Sequence, residues 1–497
     1  MSKGEIRGPL RANPRNPRYF TDESGRAVYL TGSHTWNNLQ DMGKSDPPPE
    51  FDFAGYLDFL GRLNHNFIRL WAWDMLCTWD ARDVVRPFPW ARTGPGLALD
   101  GKPRFDLFQY DGEHFERLRT RLAQAAERGI YVSVMLFEGW AIPASNRARR
   151  EMHLFAQDNN INGVDLLASD RGGIPRDWIT LDNPQVLRAQ EAYVQRVVQT
   201  VGEFDNVLYE ICNEAGQQSQ EWQDHLVAFL RKCESELPRQ HPVGVTAGMG
   251  VQNEWLFASA ADWVSPDGWA GEGAANPYRD GGYTWGAAPF DRGDKVVLLD
   301  TDHIWGIGGN VAWAWKSFCR GYNILYMDRC DDFPTAFYEH EWFPERVDPD
   351  LRREMGRIRA YAERMDLNAA LPHNDLASTG YCLAQPGEEY LVYQPAEGPF
   401  TVELASGTYQ CEWHNPSTGE SAGDDTLSVG AGAHRFAPPF AGDAVLYVER
   451  ARGQRVRSRF RLPGSTRDVL KEDDEHPCAC QVGLGHHLSG SDWLCSS

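Results

Sequence analysis

Two pairs of polar residues end apolar runs at distant points of the chain and could act together on a substrate. Asn213 and Glu214 end the run 206–214, and Asp300 and Asp302 end the run 295–302. Two carboxyl groups across a pocket can divide acid and base work. The neutral group protonates a leaving oxygen, and the ionised group attacks carbon or activates water. Such chemistry requires a fold that brings residues 214 and 302 to one cavity.

Short apolar runs and helical patterns alternate over much of the chain. The eight strand candidates are 27–32, 66–74, 130–140, 206–214, 242–248, 262–268, 295–302 and 323–328. Helical spacing is clear over 111–129, with Gly129 at the C-terminal cap, and over 184–203, with Asp182 as the expected N-cap. Strands alternating with helices pair in parallel, so the pattern predicts a (β/α)8 TIM barrel. A doubly wound sheet is disfavoured, because the glycines at 306–309 do not open a dinucleotide fingerprint after the first strand.

After about residue 374 the sequence pattern changes to short β-type runs separated by turns. We therefore expect a barrel over 10–370 and an antiparallel β-sandwich accessory domain over 371–450, with a joining helix near 348–366. Residues 451–497 are polar and predicted to be a disordered tail, because their cysteines and histidines match no zinc spacing.

Charge and composition exclude several classes of partner. A net charge of −21 without long acidic blocks argues against nucleic acid or an anionic membrane and favours a neutral substrate. No run approaches the roughly 20 apolar residues of a membrane span, and the N-terminus lacks the apolar stretch of a secretory signal. Cysteines in predicted core elements (Cys212, Cys233, Cys319 and Cys330) indicate reduced thiols in a cytoplasmic protein. No cofactor is expected, and the oligomeric state stays open, with a homo-oligomer as one option.

In a TIM barrel the chemistry lies at the C-terminal ends of the strands. Seven of the eight runs end in polar or aromatic groups, and only the fifth, ending 246–248, offers little. The candidates for substrate binding are Asn213, Arg69, His34, Trp36, Trp73, Glu138, Trp140, Asp267, His303 and Trp305. A single His or Trp near a strand end is as often packing as binding. An alternative metal site would use His34, Asp74, Glu138, Asp267, Asp302 and His303, but their spacing fits no zinc motif, so no metal is predicted.

Strand alternation predicts which side chains share a face. Leu208, Glu210, Cys212 and Glu214 have the same parity on the fourth run. An Arg69 inside the barrel would be costly alone, so a structural ion pair with Glu210 is expected.

The sequence resembles the retaining glycoside hydrolases of clan A. The resemblance rests on Asn213-Glu214 at the end of the fourth run, Arg69 on the second and an acidic residue at the end of the seventh. The sequence is most similar to the apiosidase-like relatives of these cellulase-like barrels, over roughly residues 10–450 and most clearly in the stretches 16–36 and 182–216. The resemblance implies that Glu214 is the acid/base and that Asn213 hydrogen-bonds a sugar hydroxyl.

The seventh run departs from the apiosidase-like pattern, which ends Asp-Thr-Glu. Here it reads Asp300-Thr301-Asp302, so Asp302 stands where the nucleophile is expected, and Asp300 is the second candidate. Retention is expected, but a shorter side chain that widens the carboxyl gap beyond roughly 6.5 Å would admit water and favour inversion.

The leading hypothesis is a glycosidase that acts on oligosaccharides or glycosides. The alternatives are a catalytically inactive carbohydrate-binding barrel and a metal-dependent hydrolase. The long segment 139–181 is expected to form a loop that shapes the pocket.

Overall fold

The computed structural model describes residues 6–78, 80–140, 150–168, 177–248, 253–266, 291–304, 307–328 and 350–451. Its central element is a closed barrel of eight parallel strands, and β8 pairs with β1 to close the ring. The strands are β1 (Thr31–His34), β2 (Phe67–Leu70), β3 (Tyr131–Glu138), β4 (Val207–Asn213), β5 (Val243–Thr246), β6 (Trp263–Ser265), β7 (Val296–Asp300) and β8 (Asn323–Met327). The predicted TIM barrel is confirmed.

All eight barrel strands are shorter than the predicted runs, and two of them differ in a way that bears on the site. In the first run, Ala27–Val28 belongs to a separate antiparallel sheet with Arg11–Ala12 and Phe20–Thr21, and the barrel strand begins only at residue 31. The seventh strand stops at Asp300, whose carboxylate accepts the main-chain N–H of Asp302 and so starts a short 3-10 turn, Thr301–His303. Residue 302 therefore lies beyond the strand.

Large apolar side chains fill one end of the barrel interior. They form a cluster drawn from the strands or their flanks and not from the helices: Leu10, Phe20, Leu30, Phe67, Tyr131, Leu208, Trp263, Val296, Leu298 and Leu325. Gly244 on β5 leaves room for this packing, because a Cβ there would lie 1.9 Å from the Trp263 ring. The opposite, C-terminal end of the barrel carries the polar residues.

Seven α-helices lie among the described residues. They are α1 (Phe53–Arg62), α2 (Gly112–Glu127), α3 (Pro184–Val201), α4 (Gln220–Glu234), α5 (Asn253–Ala258), α6 (Val311–Cys319) and α7 (Leu351–Arg364). Gly129 has φ 71°, as its predicted capping place requires. The prediction of Asp182 as N-cap of α3 was wrong: the Asn183 carboxamide accepts the N–H groups of Gln185 and Val186. Among the residues that the structure describes, no helix has the length and apolar character needed to cross a membrane.

Two strand pairs were not foreseen, and both follow β1 or β2. Asp41–Gly43 pairs with Val84–Arg86, and Trp90–Leu97 forms a hairpin with Pro103–Tyr110. The turn at Asp100-Gly101, where Gly101 has φ 76°, was a readable hairpin signal. Both pairs lie in loops after barrel strands, on the side where the polar residues collect.

The C-terminal part forms two antiparallel sheets that share one apolar core. The six-stranded sheet has the order Leu371–Pro372, Cys382–Gln385, Glu389–Gln394, Ala444–Arg450, Gly407–His414 and Ser421–Val429, and the smaller one pairs Phe400–Leu404 with Gly432–Phe436. The predicted β-sandwich is confirmed. Glu354 of α7 joins it to the barrel by accepting from Trp315 Nε1 at 3.2 Å and His414 Nε2 at 2.7 Å. The predicted boundary at 370/371 lies beside the first of these strands, and the tail from residue 452 lies outside the described residues.

Candidate active site

A buried guanidinium stands at the centre of the polar end of the barrel. Arg69 on β2 is 2% exposed and forms the predicted ion pair with Glu210 of β4, with Nε to Oε2 at 2.6 Å. Its five N–H groups all donate within the protein, to Glu210, Asn213, Asp300 and Asp302. In this structure Arg69 therefore positions its neighbours, and no N–H group remains for the substrate contact predicted from the sequence.

Asp300 is a buried, ionised neighbour of Arg69. His34 Nε2 lies 3.0 Å from its carboxylate and Arg69 Nη1 lies 3.3 Å away. Burial raises the pKa of this carboxyl, but the interactions with His34 and Arg69 outweigh burial and hold the pKa below its usual value. The His34 ring stacks on Trp71 at 5.4 Å between centroids and is itself fully buried. Asp300 and His34 thus belong to the supporting framework.

Asp302 reaches the same guanidinium from the turn after β7. Its Oδ2 lies 3.0 Å from Arg69 Nη1, and the side chain is 10% exposed. Burial and the charge of Asp300 raise the pKa of Asp302 above its usual value, although Arg69 opposes them. The two neighbouring carboxyls therefore have pKa values displaced in opposite directions, which is a common arrangement in acid–base sites.

Asn213 connects three strands through its carboxamide. Its Oδ1 accepts from Arg69 Nη2 at 2.5 Å and from His303 Nε2 at 3.2 Å, and its Nδ2 donates to Glu138 Oε1 at 2.9 Å. Asn213 and Asp302 bind the same guanidinium, so the ends of β4 and β7 meet at one rim. The two-carboxylate hypothesis needs these two strand ends to meet, and they do.

Glu214 leaves the strand in an unusual conformation. Its φ is 43°, in the left-handed region, and its N–H faces Thr246 Oγ1 of β5 at 3.4 Å. The turn packs closely on its surroundings, because a Cβ at Gly248 would lie 2.4 Å from the Glu214 carbonyl carbon. The fifth run, from which little was expected, thus supports the backbone of the candidate acid.

The predicted alternation along β4 was wrong at Cys212. Glu210 and Asn213 are three residues apart, yet both contact Arg69, whereas Cys212 packs in the large apolar cluster that also contains the helices. Phe137, the register partner of Cys212 on β3, packs on Tyr193 of α3. A local break in the period of two therefore aims Asn213, in place of Cys212, at the centre.

Exposure separates the acidic residues at the described strand ends into two groups. Asp74, Glu138, Glu210, Asp300 and Asp328 are buried. Glu214 and Asp302 are partly exposed. Glu214 and Asp302 are therefore the least buried acids of this set.

The aromatic candidates divide in the same way. Trp36 and Trp73 are buried in the large apolar cluster, and Trp73 Nε1 donates to the Cys77 carbonyl at 2.9 Å, so packing is their role in this structure. Trp140 is partly exposed and its main-chain N–H donates to Glu138. Asp267 and Trp305 lie outside the described residues.

Sequence reasoning missed Ser265 at the end of β6. Its hydroxyl lies 2.7 Å from His303 Nδ1 and 3.4 Å from the Asp300 main-chain nitrogen. The position at a strand end was the available signal. Within the described ranges, no group of three or more His, Cys, Asp and Glu side chains is arranged to hold a metal ion. The rings of His34 and His303 face Asp300, Ser265 and Asn213.

No protein-family model and no curated protein sequence matches this chain. Solved structures are similar to it in fold. One is a glycoside hydrolase family 5 protein from Bacteroides vulgatus ATCC 8482, with 12% identity, TM-score 0.59, and coverage of 89% of this chain and 94% of that one. Another, described as a glycoside hydrolase, has 11% identity, TM-score 0.58, and coverage of 89% and 97%. Likeness at this identity concerns the fold: the chain has the barrel architecture found in these glycoside hydrolases, which the sequence resemblance implied.

Proposed function

We propose that this protein is a glycoside hydrolase that cleaves O-glycosidic bonds of oligosaccharides or glycosides with two carboxyl groups. The observation that supports it best is the exposure contrast at the barrel rim, where Glu214 and Asp302 are partly exposed among buried acids. A structural barrel has no need to gather carboxyls at one rim, because like charges there repel each other.

The proposed reaction assigns one step to each carboxyl. Asp302 attacks the anomeric carbon while the glycosidic C–O bond breaks, and Glu214 gives its proton to the leaving oxygen. Water then attacks the glycosyl ester, Glu214 takes the proton from that water, and Asp302 is released with net retention. Arg69 Nη1 lies 3.0 Å from Asp302 Oδ2, and its charge favours the ionised form of Asp302 that attacks. Retention is the finer part of the proposal, and inversion is its alternative if the gap between the carboxyls admits water.

Two substitutions with matched controls test the proposal. We expect Glu214→Gln and Asp302→Asn each to lower kcat on a responsive aryl glycoside by two or more orders of magnitude, with thermal unfolding midpoints close to wild type. The controls are Glu221→Gln and Asp182→Asn, both exposed, which should leave kcat unchanged.

Near-normal turnover in both active-site variants would remove the proposal. Sugar binding without hydrolysis across a broad panel would instead favour the inactive carbohydrate-binding barrel. Loss of turnover after thorough chelation would favour the metal-dependent hydrolase.

We also propose a neutral carbohydrate as substrate and the cytoplasm as the compartment. The net charge of −21 disfavours anionic partners. The described cysteines (Cys77, Cys212, Cys233, Cys319, Cys382 and Cys411) are free thiols, which are typical of a reducing compartment.

A further inference from the structure

A buried carboxylate holds one side of the Asn213 carboxamide. Glu138 ends β3 in register with Asn213 and is 2% exposed. Its Oε1 accepts from Asn213 Nδ2 at 2.9 Å and from the Trp140 main-chain N–H at 3.0 Å. The amide nitrogen of Asn213 therefore faces Glu138, and the amide oxygen faces away from it.

The other side of the carboxamide is constrained independently. Arg69 Nη2 can only donate, so the oxygen of Asn213 must face it, at 2.5 Å. The same oxygen is 3.2 Å from His303 Nε2, which must therefore carry a proton. His303 Nδ1 then accepts from the Ser265 hydroxyl at 2.7 Å. Burial and Arg69 lower the pKa of His303 to about 3, so the neutral ring with Nε2–H is the form present.

These contacts define what Asn213 can offer a substrate. Its oxygen already accepts two hydrogen bonds, and one N–H is held by Glu138. The second N–H of the amide is the group left over among the described contacts. A substrate atom that meets Asn213 must accordingly be a hydrogen-bond acceptor.

We propose that Glu138 is a positioning residue, which fixes the Asn213 carboxamide so that Asn213 acts as a donor beside the acid Glu214. This assigns Glu138 a role different from the direct substrate contact predicted from its strand-end position. Its catalytic consequence rests on the proposed function. The hydrogen bond itself does not, so the two can fail separately.

A double-mutant cycle tests whether Glu138 acts through Asn213. We expect Glu138→Ala to lower kcat/KM by about 10- to 100-fold, as loss of a supporting partner does. In the Asn213→Ala background the same change should cost less than about threefold, because its target is gone. Glu138→Gln should stay within about fivefold of wild type, since a Gln oxygen can still accept. A merely structural role would give independent losses that multiply, and multiplied losses would overturn the proposal.

A measurement without turnover separates this inference from the proposed function. In protein labelled with 15N-asparagine, the side-chain amide signal missing from Asn213→Ala is that of Asn213. We expect one of its two protons to be shifted downfield by the carboxylate and to move upfield in Glu138→Ala. An unchanged signal overturns the inference, whatever the activity. A moved signal in a protein that hydrolyses no glycoside supports the inference and removes the glycosidase proposal.

Discussion

Replacing Asp74 with Asn should stabilise the protein above pH 7 and change little near pH 4. Asp74 is 4% exposed, and its Oδ2 lies 3.1 Å from the main-chain nitrogen of Glu138. Burial, reinforced by the charge of Glu138, raises the pKa of Asp74 from 3.8 to about 7. An Asn oxygen can accept the same hydrogen bond without any charge to bury.

The sign and size of this stability change follow from the linkage between proton binding and folding. The unfolded chain releases this proton near pH 3.8 and the folded protein only near pH 7, so the wild type loses stability as the pH rises between these values. Each unit of pKa difference is worth about 1.36 kcal/mol, which gives an upper limit of about 4 kcal/mol above pH 7. Asp74→Asn removes this loss.

The assay compares unfolding of wild type and variant by heat or denaturant at intervals from pH 4.5 to 8.5. The stability advantage of Asp74→Asn should grow with pH up to about 7 and then level off. Asp182→Asn, an exposed substitution of the same type, should show no such trend. An advantage that is constant or shrinks as the pH rises would refute the reasoning, since it would mean that Asp74 ionises at its ordinary pH in the folded protein.

Two further predictions concern the barrel core and its central ion cluster. Gly244→Ala should lower the free energy of unfolding by more than about 3 kcal/mol, because its Cβ would lie 1.9 Å from the Trp263 ring. The control, Gly61→Ala in α1, has nothing within 4 Å of the added Cβ and should raise the free energy of unfolding by up to about 1 kcal/mol. Equal unfolding midpoints for the two variants would contradict this prediction. Arg69→Met should cost about 3–5 kcal/mol at pH 7 and less at pH 4, where buried carboxyls that have lost their partner can take up protons. A loss that does not depend on pH would argue against the ion cluster.

The barrel could be predicted because its signal is local. Each apolar run and each amphipathic helix is visible in a short window, as for 184–203, where the helix spans Pro184–Val201. The cap of that helix was misplaced by one residue because Asp182 and Asn183 are both good N-caps, and only geometry decides between them.

The arrangement of the site could be predicted only in part. Strand ends correctly brought Arg69 and Asp302 together, because parallel strands end at the same rim. The left-handed turn at Glu214 and the break in alternation before Asn213 were not predictable. They depend on neighbouring strands far away in the chain, which no local pattern records.

The most direct test of the account is chemical trapping of the nucleophile. The protein is incubated with an activated 2-deoxy-2-fluoro glycoside of a sugar that it hydrolyses, and its peptides are analysed by mass spectrometry. The account predicts one glycosyl group on the peptide that contains Asp302, attached to that carboxyl, and no such label in Asp302→Asn. Labelling of Asp300, or turnover of the parent glycoside without any label on Asp302, would contradict it.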